Sequence, residues 1–181
     1  MSELLFVRHA ESEWNAAGLW QGHADPPLSA RGRAQAEEMA QRLAGERFAA
    51  LYTSDLVRAR ETAAALGRAL ALEPRPESRL REIHVGAWTG LSHAEIEAHW
   101  PQEYARFLRR DDEARAPGGE TRRELRERVR AALEEIAARH PGGRIVVVTH
   151  RGVVRSVSPG TGLENAGTLC VRRAGGGWAP V

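Results

Sequence analysis

The sequence predicts an α/β fold, a three-layer α/β/α arrangement in which a mainly parallel sheet carries helices on both faces. Three observations lead to it. Short apolar runs of strand length alternate with longer amphipathic stretches. Capping residues and glycine stops bracket those stretches. Two of the apolar runs, Leu4-Leu5-Phe6-Val7 and Val146-Val147-Val148-Thr149, lead into histidines, His9 and His150. In open α/β sheets, ligands bind beyond the carboxyl ends of the strands, so groups delivered there by distant strands share one site. His9 and His150 are therefore expected to meet.

The elements follow in order. Residues 3–8 read as the first strand. Ser29 caps a helix that runs to Leu43, with Met39 and Leu43 four apart and Gly45 as its stop. Residues 48–52 read as the next strand. Ser54 or Asp55 then caps a helix that keeps Ala59, Ala63, Leu66 and Leu70 on one side. Pro74 and Pro76 open an irregular stretch. Ser92 with Glu95, and Thr121 with Glu124, have capping-box spacing. In the second of these helices Leu125, Val129, Leu133 and Ile136 form an apolar stripe that ends before His140-Pro141-Gly142-Gly143. A strand over 144–149 follows, then a short helix over 152–157 before Pro159. Thr168 to Arg172 and Trp178 to Val181, around Gly175-Gly176-Gly177, read as a hairpin.

Composition narrows the class. A chain of 181 residues fits one domain, 1–181, able to bury a core without disulfides. All 26 basic residues are arginines and 24 carboxylates nearly balance them. Charges alternate in Arg122-Arg123-Glu124-Leu125-Arg126-Glu127-Arg128, the pattern of a solvated face rather than a nucleic-acid stripe. The single cysteine, Cys170, excludes an internal disulfide and fits a reducing compartment, and between Leu169 and Val171 it reads as a buried strand residue. Four consecutive apolar residues after Glu3 are too few for a signal core or a membrane span. The expectation is a cytoplasmic protein with neither nucleic-acid nor membrane partner, with self-association as a homodimer left open.

Arg8 and His9 leave the first strand, Arg58 lies in the first turn after the second, and His150 ends another. Guanidinium forks pair with phosphate oxygens, and a neutral imidazole in such a crevice can attack phosphorus, so the set points to phosphoryl transfer through histidine. His23, His84, His93 and His99 share no repeated metal-ligand spacing and read as surface positions, although His84 lies close to Glu82 and near the pocket. His140 falls at a helix C-terminus, where positive charge suits the dipole. Trp14, Trp20, Trp88 and Trp100 lie near pocket segments, with aromatic packing as the alternative.

The stretch Val7-Arg8-His9-Ala10-Glu11-Ser12-Glu13-Trp14-Asn15 resembles the signature of the histidine phosphatase superfamily, the phosphoglycerate-mutase-like proteins. The likeness continues through Gln21-Gly22-His23, Ser54-Asp55-Leu56-Val57-Arg58-Ala59, Leu80-Arg81-Glu82-Ile83, Pro117-Gly118-Gly119-Glu120 and Thr149-His150-Arg151-Gly152, in order over about residues 3–157. It implies that His9 is the nucleophile and becomes phosphohistidine. Arg8, Arg58 and His150 would stabilise the transferring phosphoryl group, with Asn15, Gln21, Gly22 and Arg151 as further substrate contacts. Glu82 would protonate the leaving oxygen and later activate water; the alternative is that it pairs with Arg79 and Arg81. No metal or cofactor is implied.

The same resemblance makes residues 92–118 a short cap insertion over the pocket. Ala10 replaces a frequent glycine, Arg151 stands where a small residue is common, and Ser158-Pro159-Gly160-Thr161-Gly162 cuts short a longer helix and connection. The compact cap favours a phosphatase of small phosphomonoesters. Arg109-Arg110, which resembles an arginine pair in the mutases' cap, keeps a cofactor-dependent phosphoglycerate mutase as the alternative. A non-catalytic phospho-ligand binding protein is the third reading, against which the presence of His9, Glu82 and His150 stands.

Overall fold

A computed structural model of the protein describes residues 2–174 and 177–181. In chain order its elements are β1 (Glu3–Arg8), α1 (Glu13–Ala16), α2 (Ala30–Leu43), β2 (Ala50–Thr53), α3 (Val57–Leu70), β3 (Pro74–Pro76), α4 (His93–His99), α5 (Pro101–Leu108), α6 (Arg122–Arg139), β4 (Arg144–Thr149), α7 (Arg151–Val157), β5 (Thr168–Ala174) and β6 (Gly177–Pro180). The strands form one sheet in the order β3-β2-β4-β1-β5-β6. The pairings from β3 through β1 are parallel, and β5 and β6 join antiparallel at one edge.

Strand alternation sorts the core into two layers. Leu4, Phe6, Ile145 and Val147 pack with Leu125, Val129, Leu133 and Ile136 of α6. Val7, Leu51, Val146 and Val148 pack on the other face, with Met39 of α2 and Ala63 and Leu66 of α3. β4 is buried on both faces from Ile145 to Thr149, which explains its unbroken apolar run. Residues 92–118 extend the first layer: Ile96, Tyr104 and Phe107 are buried in it beside Trp88.

The expected helices at Ser29, Ser92 and Thr121 are capped as read, the latter two by full capping boxes. Four local expectations change. β2 begins at Ala50, because Phe48 lies outside the ladder beneath the Arg144 guanidinium, 4.8 Å from its ring. The N-cap of α3 is Leu56, which makes no side-chain cap; Asp25 Oδ1 accepts from Val57 N at 2.6 Å in place of Ser54 or Asp55. Pro74–Pro76 is a short strand rather than an irregular stretch, tolerated because β3 lies at the sheet edge. Cys170 is half-buried on β5. β5 and β6 pair as the expected hairpin, whose Gly175 and Gly176 lie outside the described residues.

The segment that carries Glu82 has little regular structure and is held from α6. All five N–H groups of Arg128 are used: Nε and one Nη donate to Glu120, and the two Nη groups donate to the carbonyls of Arg79, Arg81 and Glu82 at 2.7–2.9 Å. Glu120 also accepts from His84 N, and Thr149 Oγ1 donates to Leu80 O at 2.8 Å. Gly86, at φ +45, meets Pro117 so closely that a Cβ there would lie 2.1 Å from its carbonyl oxygen. Replacing Arg128 by Met strands three carbonyls and a carboxylate. The expected loss is more than about 2 kcal/mol of unfolding free energy, read by urea denaturation.

Candidate active site

β1 and β4 are neighbours in register, Arg8 opposite Thr149, so the residues that follow them emerge side by side. His9 N donates to Thr149 O at 2.8 Å, and the His9 and His150 ring centroids are 5.0 Å apart. His9 is only 3% exposed. Its Nδ1 lies 2.7 Å from Ala10 O, an acceptor, so Nδ1 carries the proton and Nε2 keeps its lone pair. Burial first, then the Arg58 and Arg8 charges, hold its pKa well below the usual imidazole value. It is neutral near pH 7, with the Nε2 lone pair free.

His150 is fully buried at the N-cap of α7, its Nε2 2.8 Å from Ser54 Oγ. Ser54 Oγ accepts from Leu56 N and, among the described residues, has no other acceptor within reach, so its hydroxyl proton is directed to His150 Nε2. The remaining proton sits on Nδ1, which is buried with no protein partner. Burial, with Arg58 and His9, pushes the His150 pKa well down. Of the other buried donors in that condition, Arg8 Nε and Arg58 Nε belong to the two guanidiniums whose charges act on His9. Their outer nitrogens are tied to carbonyls: Arg8 to Leu163 O at 2.7 Å, Arg58 to Ala24 O and Gly22 O at 2.8 and 2.9 Å. Burial pushes the Arg58 pKa down to about 10, which leaves it charged. Three buried donors beside a neutral imidazole suit a tetrahedral oxyanion.

Glu82 accepts from Ile83 N at 2.8 Å and from Gly152 N at 3.1 Å. A Cβ on Gly152 would fall 2.1 Å from Glu82 Oε1, so a side chain there would displace the carboxylate from this position. The alternative pairing does not occur: Arg81 pairs with Asp55, and Arg79 with Glu77 and Glu135. His23, read as a surface position, instead puts its ring against the Glu82 carbonyl, Nε2 to O 2.8 Å.

Arg8, His9, Asn15, Gln21, Gly22, Arg58, Glu82 and Arg151 all line one cavity of about 530 Å³, with His150 buried beneath it. A larger surface groove, about 980 Å³ along α3 and β3, carries none of them. Gln21 Oε1 accepts from Ser12 Oγ, and the Gly22 carbonyl is turned to Arg58. His93, also read as a surface position, lines the cavity and hydrogen-bonds Tyr104, whereas His84 packs on His23. Trp14 and Trp20 line the cavity, while Trp88 is core. His140 caps α6 beside Tyr52, but burial, with Arg75 and Arg139, lowers its pKa, against the expected dipole-stabilised cation. Sequence reading missed Ser54 and Asn165. Asn165 Nδ2 bridges His9 O and Asn15 Oδ1, both at 3.1 Å, from the segment that had looked merely shortened. Ser54 opens the matched stretch 54–59, but its contact with His150 is long-range, and no local pattern marks Asn165. Among the described residues no three His, Cys, Asp or Glu side chains are grouped to hold a metal.

The sequence profile described as histidine phosphatase superfamily, branch 1, matches residues 4–165. The chain belongs to the histidine phosphatase superfamily. It is similar to phosphoserine phosphatase 1 of Hydrogenobacter thermophilus, 38% identical over 157 residues that cover 87% of this chain and 74% of the relative. A metal-independent phosphoserine phosphatase of Arabidopsis thaliana is 39% identical over 160 residues, 87% of this chain and 67% of its own. Among solved structures, a mycobacterial glucosyl-3-phosphoglycerate phosphatase in complex with VO3 superposes with a TM-score of 0.89 at 32% identity, covering 99% of this chain and 96% of the other. This histidine phosphatase is a phosphoric monoester hydrolase with the α/β/α fold expected from its sequence.

The buried neutral histidines give this histidine phosphatase a pH-dependent stability. Both folded pKa values lie below the unfolded one, so below about pH 6.5 the unfolded chain binds protons that the folded chain does not, and stability falls with pH. His9→Gln removes one such group. Between pH 6 and pH 5 its unfolding free energy is expected to fall less steeply than wild type, by up to about 1.4 kcal/mol per pH unit, in denaturant titrations at each pH.

Proposed function

We propose that the enzyme hydrolyses small phosphorylated metabolites in two displacements through a phosphohistidine at His9. The observation that carries this reading is the His9 imidazole, buried, neutral and held by Ala10 O so that Nε2 keeps its lone pair beside three unpartnered donors. Nε2 attacks phosphorus and the ester P–O bond breaks. The departing oxygen takes a proton from Glu82. Water then gives a proton to the Glu82 carboxylate and attacks phosphorus, and the N–P pair returns to Nε2. Arg8, Arg58 and the His150 Nδ1–H stabilise the charge that spreads over the phosphoryl oxygens.

Residues 1–181 act in this reading as one domain with its cap near 92–118, cytoplasmic and without nucleic-acid or membrane partners. No described helix is long and apolar enough to cross a membrane. The metal-independent Arabidopsis relative and the donor set support turnover without a metal. Arg110 lines the cavity, an observation that favours the mutase alternative.

Rapid quenching of wild type during turnover is expected to trap phosphate that is acid-labile and base-stable, in buffer containing EDTA. His9→Ala should trap none and lose at least about a thousandfold in kcat, roughly 4 kcal/mol of barrier. Residual activity within tenfold of wild type, or rescue of a chelated enzyme by a divalent ion, would refute the scheme.

Glu82→Gln separates proton transfer from binding. Hydrolysis of alkyl phosphates should fall at least tenfold further than that of aryl phosphates, whose departing oxygen needs little protonation. An equal loss on both series, measured as single-turnover phosphorylation rates, would assign Glu82 a structural role. Conversion of 3-phosphoglycerate to its 2-isomer without phosphate release would promote the mutase.

A further inference from the structure

Residues 21–25 touch both halves of the candidate site from one short turn, closed by Ala24 N donating to Gln21 O at 2.8 Å. The carbonyls of Gly22 and Ala24 hold the two outer nitrogens of Arg58, and Asp25 accepts from Val57 N at the start of α3, the helix that carries Arg58. Between them in sequence, the half-buried His23 meets the Glu82 carbonyl, with 2.8 Å from Nε2 to the oxygen. A carbonyl only accepts, so His23 Nε2 carries the proton. Gly22, at φ +48, lets the turn press on the segment after Glu82: a Cβ there would lie 2.6 Å from a Val85 methyl carbon and 3.3 Å from the Ile83 carbonyl oxygen.

The bond from His23 reaches the Glu82 carboxylate through a single rigid unit. The Glu82 carbonyl and the Ile83 N–H are the two ends of one planar peptide group. That N–H donates to Glu82 Oε1 at 2.8 Å. A donor at the oxygen end therefore fixes the plane that aims the nitrogen end, and it polarises the N–H toward the carboxylate. Arg128 shares the carbonyl, with its Nη2 at 2.9 Å, but it also serves the carbonyls of Arg79 and Arg81 and the Glu120 carboxylate, so it holds the whole segment. Among the described residues the His23 ring makes no other hydrogen bond, and it packs edge to face on His84 with centroids 4.8 Å apart.

We propose that His23 is a positioning residue for Glu82: through the Glu82–Ile83 peptide it sets the carboxylate against the phosphoryl group that Arg58 anchors, and so governs proton transfer to the departing oxygen. The inference rests on the hydrolase reading and deepens it. Arg58 and Glu82 come from separate parts of the chain, and residues 22–24 bind both. A proton donor works only within hydrogen-bond reach of the departing oxygen, and a misplacement of about 1 Å costs on the order of a hundredfold in rate. Loss of the His23 bond frees the peptide to tilt and the carboxylate to follow it. The partners of Arg58 in this turn are backbone carbonyls, which survive any substitution of the ring.

The test compares His23→Leu, which removes the donor, with His23→Gln, whose side-chain amide reaches the same carbonyl. His23→Phe, which keeps the ring packing on His84 without the donor, takes the place of His23→Leu should that variant fail to fold. Single-turnover phosphorylation of the donorless variant is expected to fall at least tenfold with alkyl phosphates and less than threefold with aryl phosphates. The inhibition constant of inorganic phosphate should stay within twofold of wild type, because Arg58 keeps its carbonyls. His23→Gln should restore the alkyl rate to within threefold. Added to Glu82→Gln, the donorless substitution should change the alkyl rate by less than twofold, since no acid is left to misplace. An equal fall on both ester series, a tenfold loss of phosphate affinity, no restoration by glutamine, or the full tenfold fall in the Glu82→Gln background would overturn the assignment. If wild type turns over no ester, the hydrolase reading falls and the 13C resonance of the Glu82 carboxyl, identified by its loss in Glu82→Gln, decides the rest. A change in the donorless variant that His23→Gln reverses keeps His23 as the residue that positions the carboxylate, and an unmoved resonance sinks it.

Discussion

The parallel pairing of β1 with β4 is the constraint on which the site depends. It sets Arg8 opposite Thr149 and so delivers His9 and His150, remote in sequence, to one spot at the carboxyl end of the sheet. A slip of one residue would turn Val7 and Val148 to the wrong layer and carry the histidines apart. The register is secured by burial on both faces of β4 and by the continuation of the ladder through His9 N and Thr149 O. The same core that stabilises the fold therefore sets the geometry of the candidate site.

Burial then decides the chemistry. Desolvation keeps His9 and His150 neutral where free imidazole would be partly protonated, and neighbouring guanidiniums push in the same direction. The guanidiniums are themselves held by backbone carbonyls rather than carboxylates, Arg8 by Leu163 and Arg58 by Gly22 and Ala24. That choice matters because a carbonyl orients an arginine without neutralising it. Positive charge stays uncompensated in a pocket where solvent screens it weakly.

Glu82 is positioned by a different strategy. No strand or helix carries it, and its segment is instead gripped by Arg128, Glu120, Thr149 and His23 from four directions. Gly152 and Gly86 supply the close approaches that such a grip requires. The shortened connection after α7 contributes in the same way: it turns back over β1, where Leu163 and Asn165 reach Arg8 and His9. A truncation that looked like a loss of structure closes one side of the site.

Much of this was legible before any coordinates. Strand and helix alternation determined the layered fold, capping boxes located α4 and α6, and the strand-end positions of His9 and His150 foretold that the two rings meet, because those signals are local patterns tied to backbone periodicity. The proline-bearing edge strand β3 and the cap of α3 by Asp25 were not, since each depends on a partner distant in the chain. Nor was the engagement of His23 with the Glu82 carbonyl, or the convergence of Arg110, Arg122 and Arg155 on one cavity. In a chain of 26 arginines the charge of each is written in the sequence, but whether it meets a carboxylate, a carbonyl or a pocket is decided only when the tertiary structure brings its neighbours to it.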